Sequence, residues 1–179
     1  MTHQSRLPDM ALLGNPVLRK NALEVLDVYN PVIQSLIDTM LSTVVSVHGV
    51  GLAAPQLSQS LRIIVVASHP NPRYPNAPRM EPTPMINPVC ISHTNTVNKD
   101  WEGCLSIPGL RGKVPRFEDI SMQYTDRHGT IVSADFSGFI ARIIQHEIDH
   151  LDGILFIDRI TTSHDLISDQ EYLKVLERK

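Results

Sequence analysis

The stretch Ser137–Leu151 constrains this chain more than any other. Phe139, Ile143, His146, Glu147 and His150 fall on one side of it at 3.6 residues per turn, which predicts a helix that Asp152-Gly153 ends. Residues four apart on a helix stand one above the other, so His146 and His150 can reach one metal ion from the same face. Glu147, next to the first imidazole, can take a proton from water that such an ion activates.

The rest of the chain reads as one further long helix and several short strands. From Pro31 to Val47 the residues Ile33, Leu36, Ile37, Met40, Leu41, Val44 and Val45 recur at three- and four-residue steps. They predict a helix opened by Asn30-Pro31 and closed by Gly49. Leu61–Ala67 is short and β-branched and suits a largely buried strand. Further strands are expected at Met85–Ile91, Ile120–Thr125 and Thr130–Phe136, with Asp126-Arg127-His128-Gly129 as the turn between the last two. Seven of the thirteen prolines fall between Pro70 and Pro88. Proline lacks a backbone donor, so residues 70–88 are expected to form an irregular surface loop. Ile154–Ile157 reads as a short strand or extended piece, and 168–179 as a brief helix of mixed charge.

Two imidazoles do not complete a catalytic metal site, which usually has three protein ligands and one open position. Downstream, His164 and Glu171 have no distinctive context. Upstream stands Glu102-Gly103-Cys104-Leu105-Ser106, and a thiolate beside a divalent ion is a strong ligand. Cys104 is therefore the favoured third ligand, whereas Cys90, inside an apolar strand, reads as a small buried hydrophobe. His48, His69, His93 and His128 occur singly and read as surface or packing residues. A further segment, Gly49-Val50-Gly51-Leu52-Ala53-Ala54-Pro55-Gln56, allows close backbone contact with a ligand and offers the Gln56 amide as a donor. It lacks the rest of a dinucleotide fingerprint, which disfavours phosphate binding.

Composition removes several classes of function. A net charge of −3 with 16 basic residues argues against nucleic acid or an anionic membrane surface as the main partner. No run approaches 18 apolar residues, and the first 16 residues show no export signal. Two cysteines cannot build a disulfide framework, so a reducing compartment, the cytoplasm, is expected.

Taken together, Gly49–Gln56, Glu102–Ser106 and Gln145–Gly153 resemble, in order, the motifs of the peptide deformylase family, metallohydrolases that remove the N-formyl group from new polypeptides. Leu13–Arg19 is similar to the family's opening as well, so the likeness runs from about residue 10 to about residue 160. The resemblance implies an α+β domain over 1–179, with antiparallel strands packed around a central helix carrying the His-Glu-x-x-His motif and a short C-terminal helix. It implies that Cys104, His146 and His150 hold the metal and that Glu147 moves the proton. The amide of Gln56 and the backbone N–H of Leu105 would then stabilise the oxyanion. N-formylmethionyl peptides would bind as an extended strand beside Gly51, with Arg111 as a contact and with Val50, Phe139 and Ile143 lining the methionine pocket. Coordination chemistry alone suggests Zn2+, whereas the resemblance implies Fe2+, with Ni2+ or Co2+ as working substitutes.

Two positions qualify the likeness. Arg142 stands where an aliphatic residue or cysteine is common in the family's bacterial members, so its cation has to sit at the pocket rim or pair with a carboxylate. In some members a basic C-terminal helix docks on the ribosome; here Lys174, Arg178 and Lys179 alternate with Asp169, Glu171 and Glu177, so that partner is not carried over. Two other readings use the same residues. An endopeptidase would share the water-attack chemistry, and a structural metal site would need a fourth protein ligand.

Overall fold

The computed structural model describes residues 9–71 and 74–177. Five antiparallel strands form one sheet in the order β1-β2-β3-β6-β7: β1 Gly51–Ala53, β2 Ile63–Ser68, β3 Met80–His93, β6 Asp119–Thr125 and β7 Ile131–Ser137. The other sheet has three strands in the order β4-β5-β8: β4 Val97–Cys104, β5 Ile107–Phe117 and β8 Leu166–Ser168.

Helix α1, Pro31–Ser46, starts where the Asn30 side chain accepts the N–H of Val32, and packs on one face of the larger sheet. Helix α2, Gly138–Leu151, carries the His-Glu-x-x-His motif, packs on the opposite face and also reaches β5 of the smaller sheet. Strand β2 shows why its sequence is continuously apolar. Ile63, Val65 and Ala67 join the core under α1, and Ile64 and Val66 join the core under α2. Each such valine or isoleucine side chain, taken wholly out of water, contributes about 1.5–3 kcal/mol. A third cluster, with Leu18, Ile107, Val114 and Phe156 at its centre, ties the smaller sheet to the 3-10 turn Phe156–Arg159.

The proline-rich stretch departs from its expected form. Among the described residues it is irregular only before Met80, and Pro82, Pro84 and Pro88 lie within β3. From 80 to 84 this strand has a partner on one side only, β2, so two prolines spaced two apart can both turn their missing donor to the free side. Pro88 sits in a bulge between Ile86 and Val89, where Asn87 takes a positive φ and its amide binds both backbone groups of Val25. Beyond the bulge, β2 no longer flanks β3. Cys90 is therefore exposed beside exposed Val89 and Ile91, not buried as its apolar neighbours suggested.

Strands β4 and β5 were not legible, because Gly103, Pro108, Gly109, Gly112 and Pro115 break their alternation. Residues 156–159 form a 3-10 turn rather than part of a strand. Helix α3, Asp169–Glu177, follows β8; the end of the expected 168–179 helix, Arg178 and Lys179, lies outside the described residues.

Candidate active site

A helix and a strand of the smaller sheet meet at one point. One turn of α2 stacks His146 over His150, and β4 ends at Cys104 beside them. Cys104 Sγ lies 3.2 Å from His150 Nε2, and one ligand atom from each of the three residues falls within 4.8 Å of the others. A soft thiolate with two imidazoles is a donor set for a single divalent transition metal. Burial works against ionising Cys104, yet the charges of His150 and His146 and their hydrogen bonds hold its thiol well below the usual range.

His146 is aimed by a residue whose role the sequence did not disclose. Its Nδ1 donates to Glu102 Oε2 at 2.8 Å, which leaves Nε2 for the Cys104 side. Glu102 is buried and accepts two hydrogen bonds from Arg116, at 2.9 and 3.0 Å, and one from Arg142 at 2.9 Å. Burial opposes its ionisation, but the His146 hydrogen bond and the Arg116 charge prevail and hold the carboxyl well below the usual carboxylate range. Arg116 also donates to Asp149 Oδ2 at 2.6 Å, and Asp149 pairs with Arg159 nearer the surface. Removing one partner from a buried ion pair of this kind costs about 3–5 kcal/mol. No local signal marks it, because β5 itself is broken by glycine and proline; only in the fold does Arg116 share the buried parity of Val114.

Arg142 resolves to the second of its two expected forms. It pairs with Glu102 and also donates to the carbonyls of Asn98 and Val114, at 2.7 and 2.8 Å. The cation thus ties α2 to both strands of the β4–β5 hairpin.

Glu147 is buried at the same cleft, and its Oε2 has no protein hydrogen-bond partner. Burial pushes its carboxyl up to about 7, with His146 and His150 pulling back. Gly51 lies so near that an added Cβ would come within 2.2 Å of Glu147 Oε1 and 2.8 Å of Ile143 Cγ2. Gly51→Ala should therefore displace the carboxylate and lower turnover by about 100-fold, the scale of an ångström-sized misplacement. Rate and metal content measured together check this: the ion should stay while the rate falls.

The remaining expected residues converge on the cleft. Gln56, buried in a 3-10 turn, accepts the N–H of Ala53 with Oε1 and points Nε2 at Cys104 Sγ, 3.5 Å away, and Ser106 Oγ, 3.2 Å away. Leu105 lies in the two-residue turn between β4 and β5. Val50, Gly51, Leu105, Arg111, Phe139 and Ile143 all line a cleft of about 200 Å³ with Gln56, Cys104, His146 and Glu147.

The sequence profile described as polypeptide deformylase matches residues 8–165. The chain belongs to the polypeptide deformylase family. Among curated deformylases, peptide deformylase 2 of Nostoc sp. is 50% identical over 166 residues, covering 93% of each chain. Peptide deformylase 1 of Prochlorococcus marinus is 47% identical over 152 residues, 84% of this chain and 79% of that one. A solved structure of class I type b peptide deformylase from Acinetobacter baumannii, bound to Met-Ala-Ser, superposes with a TM-score of 0.84 at 42% identity. It covers 87% of this chain and 99% of that chain. The antiparallel sheets and three helices are the deformylase fold, and the family's established activity is deformylation of nascent polypeptides by metal-dependent hydrolysis.

Arg111, the expected peptide contact, is held by partners within the protein. Arg111 reaches the cleft, but it is buried and two of its donors are engaged: Nε with Asp169 Oδ1 at 2.7 Å and Nη1 with the Tyr74 hydroxyl at 3.1 Å.

Proposed function

We propose that this chain releases formate from N-formylmethionyl peptides with one divalent ion held by Cys104, His146 and His150. The observation that carries the reading is the convergence of those three ligand atoms, within 4.8 Å of one another, with the buried, unpartnered Glu147 oxygen on one cleft. When bound, the ion acidifies water so that a nucleophile exists at neutral pH.

The protein's own residues do the rest. Glu147 takes the proton of the water that adds to the formyl carbon, and returns a proton to the amine as the C–N bond breaks. Formate and a free N-terminus result. As negative charge gathers on the formyl oxygen, the Gln56 amide and the Leu105 N–H donate to it; one such donor is worth about 100- to 1,000-fold in rate. Val50, Phe139 and Ile143 supply the apolar side of the methionine pocket, and the peptide runs extended past Gly51. Glu102, fixed by Arg116 and Arg142, keeps the His146 ring turned to the ion.

We assign Fe2+ as the working ion, on the family likeness and the soft sulfur in the donor set, with Ni2+ or Co2+ able to replace it and Zn2+ poorer. We place the activity in the cytoplasm, where a free thiolate ligand stays reduced. No helix among the described residues is long and apolar enough to cross a membrane. Formate release from a short formylmethionyl peptide, run without oxygen beside its unformylated counterpart, tests the reading. The expected result is formate from the first, no cleavage of the second, and loss of activity in air. Internal cleavage of both would instead mark an endopeptidase.

A further inference from the structure

The family match ends at residue 165, yet α3 begins at Asp169 and reaches the cleft. Strand β8 fixes where it starts, pairing Leu166, Ile167 and Ser168 with Gly112, Arg111 and Leu110. From there Asp169 accepts Arg111 Nε, and one turn later the buried Tyr172 ring lies 4.4 Å from the same guanidinium. Arg111 holds the Tyr74 hydroxyl with Nη1, and the Tyr74 ring tilts against Phe139 at 5.0 Å. Trp101 meets Tyr172 edge-on at 5.8 Å. Gly103 makes room beneath, since a Cβ there would come within 3.3 Å of Arg111 Cζ. One buried cation thus joins three segments far apart in sequence into a single side of the cleft, lined by Tyr74, Trp101, Arg111 and Asp169.

The cleft has a buried end and an open end. His146 and Glu147, both buried, line the inner end, whereas the Asp169 side chain is 46% exposed. A formyl group at the buried end sends the rest of its peptide outward, past the Arg111 wall. We propose that α3 is the outer wall of the peptide groove, and that Asp169 is a positioning residue which, through Arg111 and Tyr74, holds this wall against the residues that follow the methionine. The inference rests on the deformylase reading above. Because Asp169 offsets the charge of Arg111, the part of the wall they form with the Tyr74 ring suits apolar side chains. Without that carboxylate, the guanidinium is left to attract an acidic residue of the substrate.

The test compares wild type, Asp169→Asn and Asp169→Glu on three substrates: formylmethionine amide, formyl-Met-Leu-Leu and formyl-Met-Asp-Asp. For Asp169→Asn, KM for the apolar tripeptide should rise about five- to tenfold, while KM for the amide moves less than about twofold. The same variant should shift preference toward the acidic tripeptide, and Asp169→Glu should restore the wild-type order. Equal changes on all three substrates, or none on the tripeptides, would overturn the inference and leave deformylation standing. A wild-type protein inert toward all three would overturn deformylation, and this inference with it.

Discussion

Glu147→Ala should release formate at least about 100- to 10,000-fold more slowly than wild type, the range lost with a positioned acid–base group, while keeping its ion. The carboxylate sits between the two histidines on α2 but is not one of the three grouped donor atoms. Its removal therefore leaves the sulfur and both imidazoles where they are. The structure dedicates space to it: Gly51 has no side chain at its edge, Ile143 packs beside it, and one oxygen is left without a protein partner. A buried carboxyl with an orphaned oxygen is costly unless it serves the substrate or a water. Formate assay and metal analysis on the same sample check this, and turnover within tenfold of wild type would remove Glu147 from the proton path.

Cys104→Ser should lose the ion and, with it, nearly all activity, yet remain folded. A serine hydroxyl stays protonated at neutral pH, whereas the charges of His150 and His146 hold the Cys104 thiol well below its usual range. Losing a partner that merely orients a ligand already costs about 10- to 100-fold in metal affinity, so losing the ligand itself should cost more than about 100-fold. The fold does not hang on this sulfur. The cores under α1 and α2 are built from β1, β2, β3, β6 and the two helices, and Cys104 only borders the third cluster. Chelator competition and thermal unfolding separate the outcomes: metal loss with a cooperative transition fits an open catalytic site, and unfolding fits a structural one.

The helix with its two imidazoles was legible because helical spacing alone brings residues four apart together. Cys104 and Gln56 were legible as types of donor, but only the fold shows that a strand end and a 3-10 turn deliver them to α2. The ion-pair chain Glu102–Arg116–Asp149 was not, because its members come from two strands and a helix, and no local period links them. Proline content hid the first half of β3, since composition does not show that a strand lacks a neighbour on one side there. Arg111 looked the same in sequence whether free or engaged. What engages it, Tyr74 and Asp169, lies 37 residues before and 58 residues after it.

X-ray absorption of the protein loaded with one zinc ion per chain tests the central claim most directly. The account expects one sulfur at about 2.3 Å and two imidazole nitrogens at about 2.0–2.1 Å, with a light atom from solvent completing the shell. A shell without sulfur, or one closed by a fourth protein ligand, would contradict it.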